Sequence, residues 1–246
     1  MSRISWQVRT AIILICVSAI LYAVHFIVFQ NIHFLSEYTL FYFAFLPIEA
    51  IFVTLILDQL MELRARKERL GKLNMVIGAF FSEEGTRLLS EFSRSDPDIE
   101  KIRGDLLVGP KWTDERFVKT TKQLKNYGHH IDIKSIDLEK LRSFIISKRN
   151  FLLRILENPV LLEHESFTEL LRAVFHLTEE LELRKDLKTL PDSDLAHLES
   201  DMERAYARLI DAWLDYMKYM KERYPYLFSL AMRTNPFDVN ATPIVN

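Results

Sequence analysis

The sequence predicts an all-α protein, in which a two-helix transmembrane hairpin continues into a cytoplasmic antiparallel helical bundle. Three observations lead to this prediction. Two long apolar runs lie close together near the N-terminus, and basic residues flank the pair of runs but are absent between them. The remainder of the chain is densely charged, and its apolar residues recur with the 3.6-residue period of a helix.

Charge is distributed unevenly along the 246 residues. The ionised side chains within residues 1–60 are Arg3, Arg9, Glu37, Glu49 and Asp58. An apolar segment followed by a charged segment is typical of a membrane anchor joined to a soluble domain. The net charge is −2, so a surface that binds nucleic acid is not expected. The single cysteine, Cys16, argues against a disulfide framework and a cysteine-based zinc site.

Residues 10–29 are predicted to form the first transmembrane helix, because this apolar run contains no formally charged side chain. At about 1.5 Å per residue this run spans roughly 30 Å, the thickness of the hydrocarbon core of a bilayer. A secretory signal peptide has a shorter apolar region and a following cleavage site of small residues. This run continues into Gln30 and Asn31 and towards a second apolar run, so we predict a span rather than a signal peptide.

Residues 39–57 are predicted to form the second span. Residues 30–38 are predicted to connect it to the first. Arg3 and Arg9 precede the first span, a basic cluster follows the second, and the connection contains no lysine or arginine. The positive-inside rule therefore predicts that both termini are cytoplasmic. The basic cluster, which we also expect to face anionic lipid headgroups, is Arg64, Arg66, Lys67, Arg69 and Lys72.

Glu49 lies near the predicted bilayer midplane, two residues after Pro47. An ionised carboxylate is costly at that depth, so we expect it to be protonated, paired or facing a water-filled cavity. Ser18 and Tyr22 of the first span are expected at or near the same depth. Two interpretations stay open. Glu49 bonds to Ser18, to Tyr22 or to a neighbouring subunit, or it belongs to a ring of carboxylates lining a pore or to a proton-linked switch.

Residues 61–95 are predicted to extend the second span as a juxtamembrane helix. Within it, Gly71, Gly78 and Gly85 recur every seven residues and share one face if the helix is continuous. A glycine inside a helix costs roughly 0.5–1 kcal/mol relative to alanine, which favours close contact with another helix at a subunit interface. The alternative is that the helix ends near Ser82 and that Gly85 belongs to the break.

Residues 96–235 are predicted to form a cytoplasmic helical domain, followed by an extended tail at 236–246. The expected helices run from an N-cap at Thr113 to about Asn126, over 136–157, from 166 to about 185, and over 193–223. The last of these carries apolar residues at a sustained helical period from Leu195 to Met220. The aromatic stretch 224–237 is expected to cap the bundle, lie at the membrane surface or reach a neighbouring subunit.

Catalytic, cofactor and metal motifs are absent from the sequence. His129 and His130 are adjacent and point apart, and His197 has no obvious partner. His176 has Glu179 and Glu180 three and four residues further on, but such a pair needs a partner on another helix to bind a metal, and His176 falls on the polar side of its helix. A Glu-x-x-His pair, a glycine-rich phosphate loop and a Gly-x-Ser-x-Gly elbow are also missing. We therefore predict that the protein is not an enzyme and holds neither a cofactor nor a metal.

The leading hypothesis is a non-enzymatic membrane protein whose cytoplasmic domain mediates self-association or binds a cytoplasmic protein partner. One alternative is a homo-oligomeric ion channel or pore lined by the second span. Another is a membrane-tethered signalling or defence effector. The oligomeric state in detergent and the surface that Glu49 faces would discriminate between the first two.

Overall fold

The computed structural model describes residues 6–159, 161 and 164–245. These residues contain no β-strand, and the all-helical prediction is confirmed. The α-helices are α1 (Trp6–Phe29), α2 (Ile32–Phe80), α3 (Thr86–Arg94), α4 (Glu100–Leu106), α5 (Asp114–Leu124), α6 (Leu138–Leu156), α7 (Glu165–Leu183), α8 (Asp192–Arg223) and α9 (Pro225–Arg233). The chain divides into two compact units, Met1–Arg66 and Lys67–Asn246. Arg3 and the last residue of the expected tail, 246, lie outside the described residues.

The two N-terminal helices are joined by a shorter connection than the sequence predicted. Residues 32–38 were expected to connect the spans, but α2 already begins at Ile32. Gln30 makes the turn in the left-handed region, with φ of 47°. The side-chain Oδ1 of Asn31 then accepts a hydrogen bond of 3.1 Å from the backbone N–H of Phe34. This cap satisfies one of the free N–H groups that open a helix, which explains why α2 can start so early.

Both N-terminal helices carry long apolar surfaces that face outward. The segments Val8–Phe29 and Ile32–Arg94 are each long and apolar enough to cross a membrane, and the most apolar stretch of each contains no buried residue. A core helix of a soluble protein would be mostly buried instead. The first unit therefore exposes the surfaces of two helices that suit an apolar surrounding.

A π-helical turn at Phe81–Gly85 joins α2 to α3. The sequence left open whether the helix ends near Ser82 or continues towards Phe92, and the structure shows that it continues through this wider turn. Ile77 and Phe80 before the turn and Leu88 and Phe92 after it are all buried. A π-turn inserts one residue into a helix, and here it keeps the apolar faces of α2 and α3 directed at one core.

The helical domain is built around α8, whose apolar face lies at the centre of the core. From Leu198 to Met220, the residues that the helical period selects are buried, whereas Leu195 is partly buried. Residues of α7 and α8 meet in reverse order, because His176 lies beside Asp201 and Glu180 beside His197, so these two helices are antiparallel. Thr113 is the N-cap of α5, as predicted, and accepts a bond from the backbone N–H of Arg116.

The aromatic C-terminal stretch docks onto the helical domain. Phe228 of α9 and Phe237 beyond it are both buried, and the ring of Phe237 lies edge-on to that of Trp213, 5.2 Å between centroids. The amide of Asn235 donates a 3.0 Å hydrogen bond to the carbonyl of Leu106 at the end of α4. Of the three placements that the sequence left open, capping of the bundle is the one observed for these residues, and the start of the expected tail is anchored in the core.

Candidate metal centre

Four side chains with metal-binding atoms converge where α7 and α8 pack together. They are His176, Glu180, His197 and Asp201, and one donor atom from each lies within 4.8 Å of the other three. Each helix supplies a histidine and, four residues later, a carboxylate. Residues four apart share one face of a helix, so both pairs point into the same place. The four residues are called the His–carboxylate cluster below.

The buried carboxylate of Asp201 lies at the centre of the cluster. Its Oδ2 atom is 3.4 Å from Nε2 of His176 and 3.4 Å from Nε2 of His197. The two oxygens of Glu180 face the same two nitrogen atoms, with Oε1 3.8 Å from His176 and Oε2 3.7 Å from His197. Despite these neighbours, Oδ2 of Asp201 has no hydrogen-bond partner among the described residues. Two ring nitrogens therefore approach this oxygen without aiming an N–H at it.

Burial divides the cluster into a floor and a rim. The side chain of Asp201 is 2% exposed, whereas those of His176 and His197 are 44% and 52% exposed. Leu177 and Leu198, the next residues along each helix, are fully buried. The cluster thus stands at the edge of the apolar seam, with the carboxylate on the protein side and the imidazoles on the solvent side.

Two arginines hold the carboxylates from outside the cluster. Arg204 donates a 2.8 Å hydrogen bond to Oδ1 of Asp201. Arg184 donates a 2.6 Å hydrogen bond to Oε2 of Glu180 and binds Asp194 through two further bonds. The bond from Arg184 is the main reason that the pKa of Glu180 is lowered, against the opposing effect of burial. Each carboxylate keeps a second oxygen that an arginine does not occupy.

The sequence contains a signal for this cluster in the spacing of its residues. The pattern His-x-x-x-Glu on one helix is followed by His-x-x-x-Asp on the next. A His–Glu pair three or four residues apart was expected to bind a metal only with a partner on another helix, and His176 was therefore assigned to a solvated face of α7. The expectation that His197 has no obvious partner was wrong, since Asp201 and Glu180 both lie beside it. Only the antiparallel contact of two helices brings the pairs together, and no single helix shows it.

Two of the three polar residues predicted to lie within the membrane share a groove. Ser18 and Tyr22 line a groove of about 320 Å³ with Tyr38 and Tyr42. Glu49 is exposed and is not among the lining residues of this groove. A bond of Glu49 to Ser18, to Tyr22 or to a neighbouring subunit stays a prediction. Its place in a ring of carboxylates around a pore, or in a proton-linked switch, also stays a prediction.

The three glycines of the predicted interface have different surroundings. A methyl group added at Gly71 would meet nothing within 4 Å. At Gly78 it would lie 2.6 Å from the hydroxyl of Tyr216 on α8, so the close neighbour here belongs to the same chain. Gly85 is buried in the π-turn against the rings of Phe80 and Phe81. Contact with a second subunit stays a prediction, and Gly71 is the position with open space for it.

Alanine substitutions at Gly71 and Gly78 are expected to change stability in opposite directions. Gly71→Ala should raise the free energy of unfolding by about 0.5–1 kcal/mol, because alanine favours the helix and the site is open. Gly78→Ala should lower it by about 1–3 kcal/mol, because the methyl meets a ring that stacks on Phe81. Urea unfolding in mild detergent measures both changes. The Gly78→Ala penalty should shrink when Tyr216→Phe removes the nearest atom, and an unchanged penalty would contradict the proposed clash.

The basic cluster after the second apolar run lies on the surface of α2. Its five side chains are all exposed, and Lys72 pairs with Glu68 at 2.9 Å. Their exposure is compatible with contact to headgroups, and their role as lipid-facing residues stays a prediction.

By its structure, this is an all-helical protein with two distinguishing features. An apolar N-terminal helix pair precedes a helical domain that carries the His–carboxylate cluster. Residues 2–61 match the family model "MJ1433, N-terminal helical domain", and residues 69–233 match "Uncharacterized protein MJ1433, C-terminal helical domain". The chain is 47% identical over 228 residues to "Uncharacterized protein MJ1433" of Methanocaldococcus jannaschii. The aligned residues cover 93% of this chain and 92% of that relative. The chain belongs to the MJ1433 family. No solved structure matches it.

Proposed function

We propose that this protein is a non-enzymatic integral membrane protein, anchored by a hairpin of α1 and α2 and carrying its helical domain in the cytoplasm. The observation that supports the proposal best is the exposure of both apolar helices. The most apolar stretches of Val8–Phe29 and Ile32–Arg94 contain no buried residue. Soluble monomers rarely expose contiguous apolar patches above a few hundred Å², so surfaces of this extent favour lipid as the surrounding medium.

The orientation is proposed from the basic residues. Arg9 precedes the first apolar run, the basic cluster follows the second, and residues 30–38 between the two runs contain no lysine or arginine. The positive-inside rule then places both termini in the cytoplasm. Aromatic residues at the turn, including Phe34 and Tyr38, support an outer interface at this end of the hairpin, since aromatic rings favour the headgroup level.

The role that we propose for the helical domain is assembly with further copies of the chain or binding of a cytoplasmic protein. One face of α9 supports this role. Phe228 is buried on the domain, whereas Tyr226, Leu227 and Leu230 on the other side are 71%, 38% and 45% exposed. The channel and the signalling effector gain no such specific support. The size of the particle purified in detergent tests self-association.

Cysteine labelling tests the proposed topology. In a Cys16→Ala background, His33→Cys beside the turn should react with a membrane-impermeant maleimide in intact cells. Lys67→Cys in the basic cluster should react only after lysis, because the two positions are expected on opposite sides of the bilayer. Alkaline carbonate should leave both variants in the membrane pellet. Release into the supernatant would overturn the spanning hairpin, and the reverse labelling pattern would overturn its orientation.

A further inference from the structure

We infer that the His–carboxylate cluster is a binding site for a divalent transition-metal ion, with Zn²⁺ the best fit, and that the ion joins α7 to α8. The inference goes beyond the proposed function and does not depend on whether the hairpin spans a bilayer. It rests on the donor set, the spacing of the donors, the unsatisfied oxygen of Asp201 and the two arginines that hold the carboxylates.

The donor atoms suit a borderline metal ion. Two imidazole nitrogens and two carboxylate oxygens are ligands that Zn²⁺ accepts at about 2.0–2.2 Å. Mg²⁺ and Ca²⁺ prefer oxygen ligands alone, so the two histidines disfavour them. Histidine and carboxylate donors placed one helical turn apart on neighbouring helices are also how metal sites are built into helical bundles.

The distances around Asp201 have the scale of a tetrahedral site. Bonds of about 2.0–2.1 Å to a tetrahedral ion place neighbouring donor atoms roughly 3.3–3.4 Å apart. The two contacts between the histidines and Asp201 are 3.4 Å each. Oε1 of Glu180 lies 3.8 Å from His176 and its Oε2 lies 3.7 Å from His197, and one donor atom from each of the four residues lies within 4.8 Å of the others. The side chain of Glu180 is 24% exposed, so its Oε1 atom can turn towards the ion while Oε2 keeps the bond from Arg184.

The unsatisfied oxygen gives independent support to the inference. Oδ2 of Asp201 is buried without a hydrogen-bond partner, although two ring nitrogens lie near it. A buried carboxylate oxygen without a partner is costly. An ion at the centre of the cluster would satisfy this oxygen and use the lone pairs of both imidazoles.

The arginines around the cluster bond to its carboxylates in the way that neighbouring residues bond to metal ligands. Carboxylates that bind metals are held by hydrogen bonds from outside the site, as Arg204 holds Asp201 and Arg184 holds Glu180. Four protein ligands fill a tetrahedral shell and leave no open position, which is the form of a structural site rather than a catalytic one. The half-exposed histidines let the ion enter from solvent. Binding should therefore stabilise the contact between α7 and α8.

Metal titration of the full-length, tag-free protein in mild detergent tests the inference. After chelator treatment, one equivalent of Co²⁺ should give the intense visible absorption of a tetrahedral site, and one equivalent of Zn²⁺ should displace it. Excess Zn²⁺ should raise the midpoint of thermal unfolding by roughly 5 °C or more. A protein that gives no tetrahedral Co²⁺ spectrum and no shift with Zn²⁺ would overturn the site.

Two sets of variants separate this site from adventitious binding. His176→Gln with His197→Gln should abolish the Co²⁺ spectrum and the thermal shift. The matched control, His33→Gln with His130→Gln, removes two exposed histidines elsewhere and should keep both. His197→Gln alone changes a half-exposed side chain, should fold normally, and should weaken Zn²⁺ binding at least about 10-fold. Equal Zn²⁺ affinity in the cluster variants and the control would show adventitious binding and sink the inference.

Discussion

Between pH 5 and pH 8, the protein is expected to lose about 2–4 kcal/mol more stability than its Glu84→Gln variant. Glu84 lies in the π-turn, its side chain is fully buried, and both carboxylate oxygens lack a hydrogen-bond partner among the described residues. Burial raises the pKa of Glu84 to about 8, and the positive charge of Lys148 opposes this only in part. A neutral glutamine of similar shape removes the ionisation.

The direction of the pH effect follows from the two pKa values. Unfolded, Glu84 has its ordinary pKa of 4.5, whereas folded it has one of about 8. Between these values the folded protein binds more protons than the unfolded chain, so stability falls as pH rises and levels off above about 8. Urea midpoints at several pH values measure the difference. The neighbouring Glu83, half exposed and paired with Lys148, provides the control Glu83→Gln. Equal pH slopes for the protein and Glu84→Gln would contradict the prediction.

Phe237→Ala is expected to lower the free energy of unfolding by about 3–5 kcal/mol, the usual cost of removing a buried phenylalanine. The ring of Phe237 is fully buried against Trp213, and its backbone carbonyl accepts a 2.8 Å hydrogen bond from Arg103. The substitution leaves a cavity between α8 and the C-terminal segment. Urea unfolding followed by tryptophan fluorescence measures the loss.

Val239→Ala is the matched control, because Val239 lies two residues further on and is 77% exposed. Its effect should stay within about 0.5 kcal/mol, as is usual for surface substitutions. A loss below about 1 kcal/mol for Phe237→Ala would mean that the C-terminal segment is not held in the core in solution. That outcome would return residues 236–245 to the extended tail that the sequence predicted.

The long helices could be predicted from the sequence because their own pattern specifies them. In α8 the apolar period from Leu198 to Met220 marks the buried face directly, and Thr113 marks the start of α5 by its capping chemistry. Elements whose structure depends on other parts of the chain were missed. The short helices α4 and α9 depend on contacts with distant segments, and a local pattern does not contain these contacts. The burial of Phe237 agrees with one of the placements expected for the aromatic stretch 224–237, but the sequence could not select it from the three.

The candidate site shows the same division. The spacing within each pair, His176 with Glu180 and His197 with Asp201, is visible in the sequence. Whether the two pairs meet depends on the register of α7 against α8. That register is set by the short linker between these helices and by their packing. For Gly78, the sequence indicated a contact but not the partner. Its position in a regular series indicated a close neighbour, and the structure supplies one, Tyr216, from the same chain.

The π-turn at Phe81–Gly85 has a consequence for chain length among relatives. Removing one residue from a regular helix rotates everything beyond it by about 100°. A π-turn holds one residue more than a regular turn, so a relative shorter by one residue here could close it to an ordinary α-helix. Leu88 and Phe92 would still face inward. The same deletion within α8 would turn Met217 and Met220 away from the core, so evolution can shorten the chain far more safely at this turn.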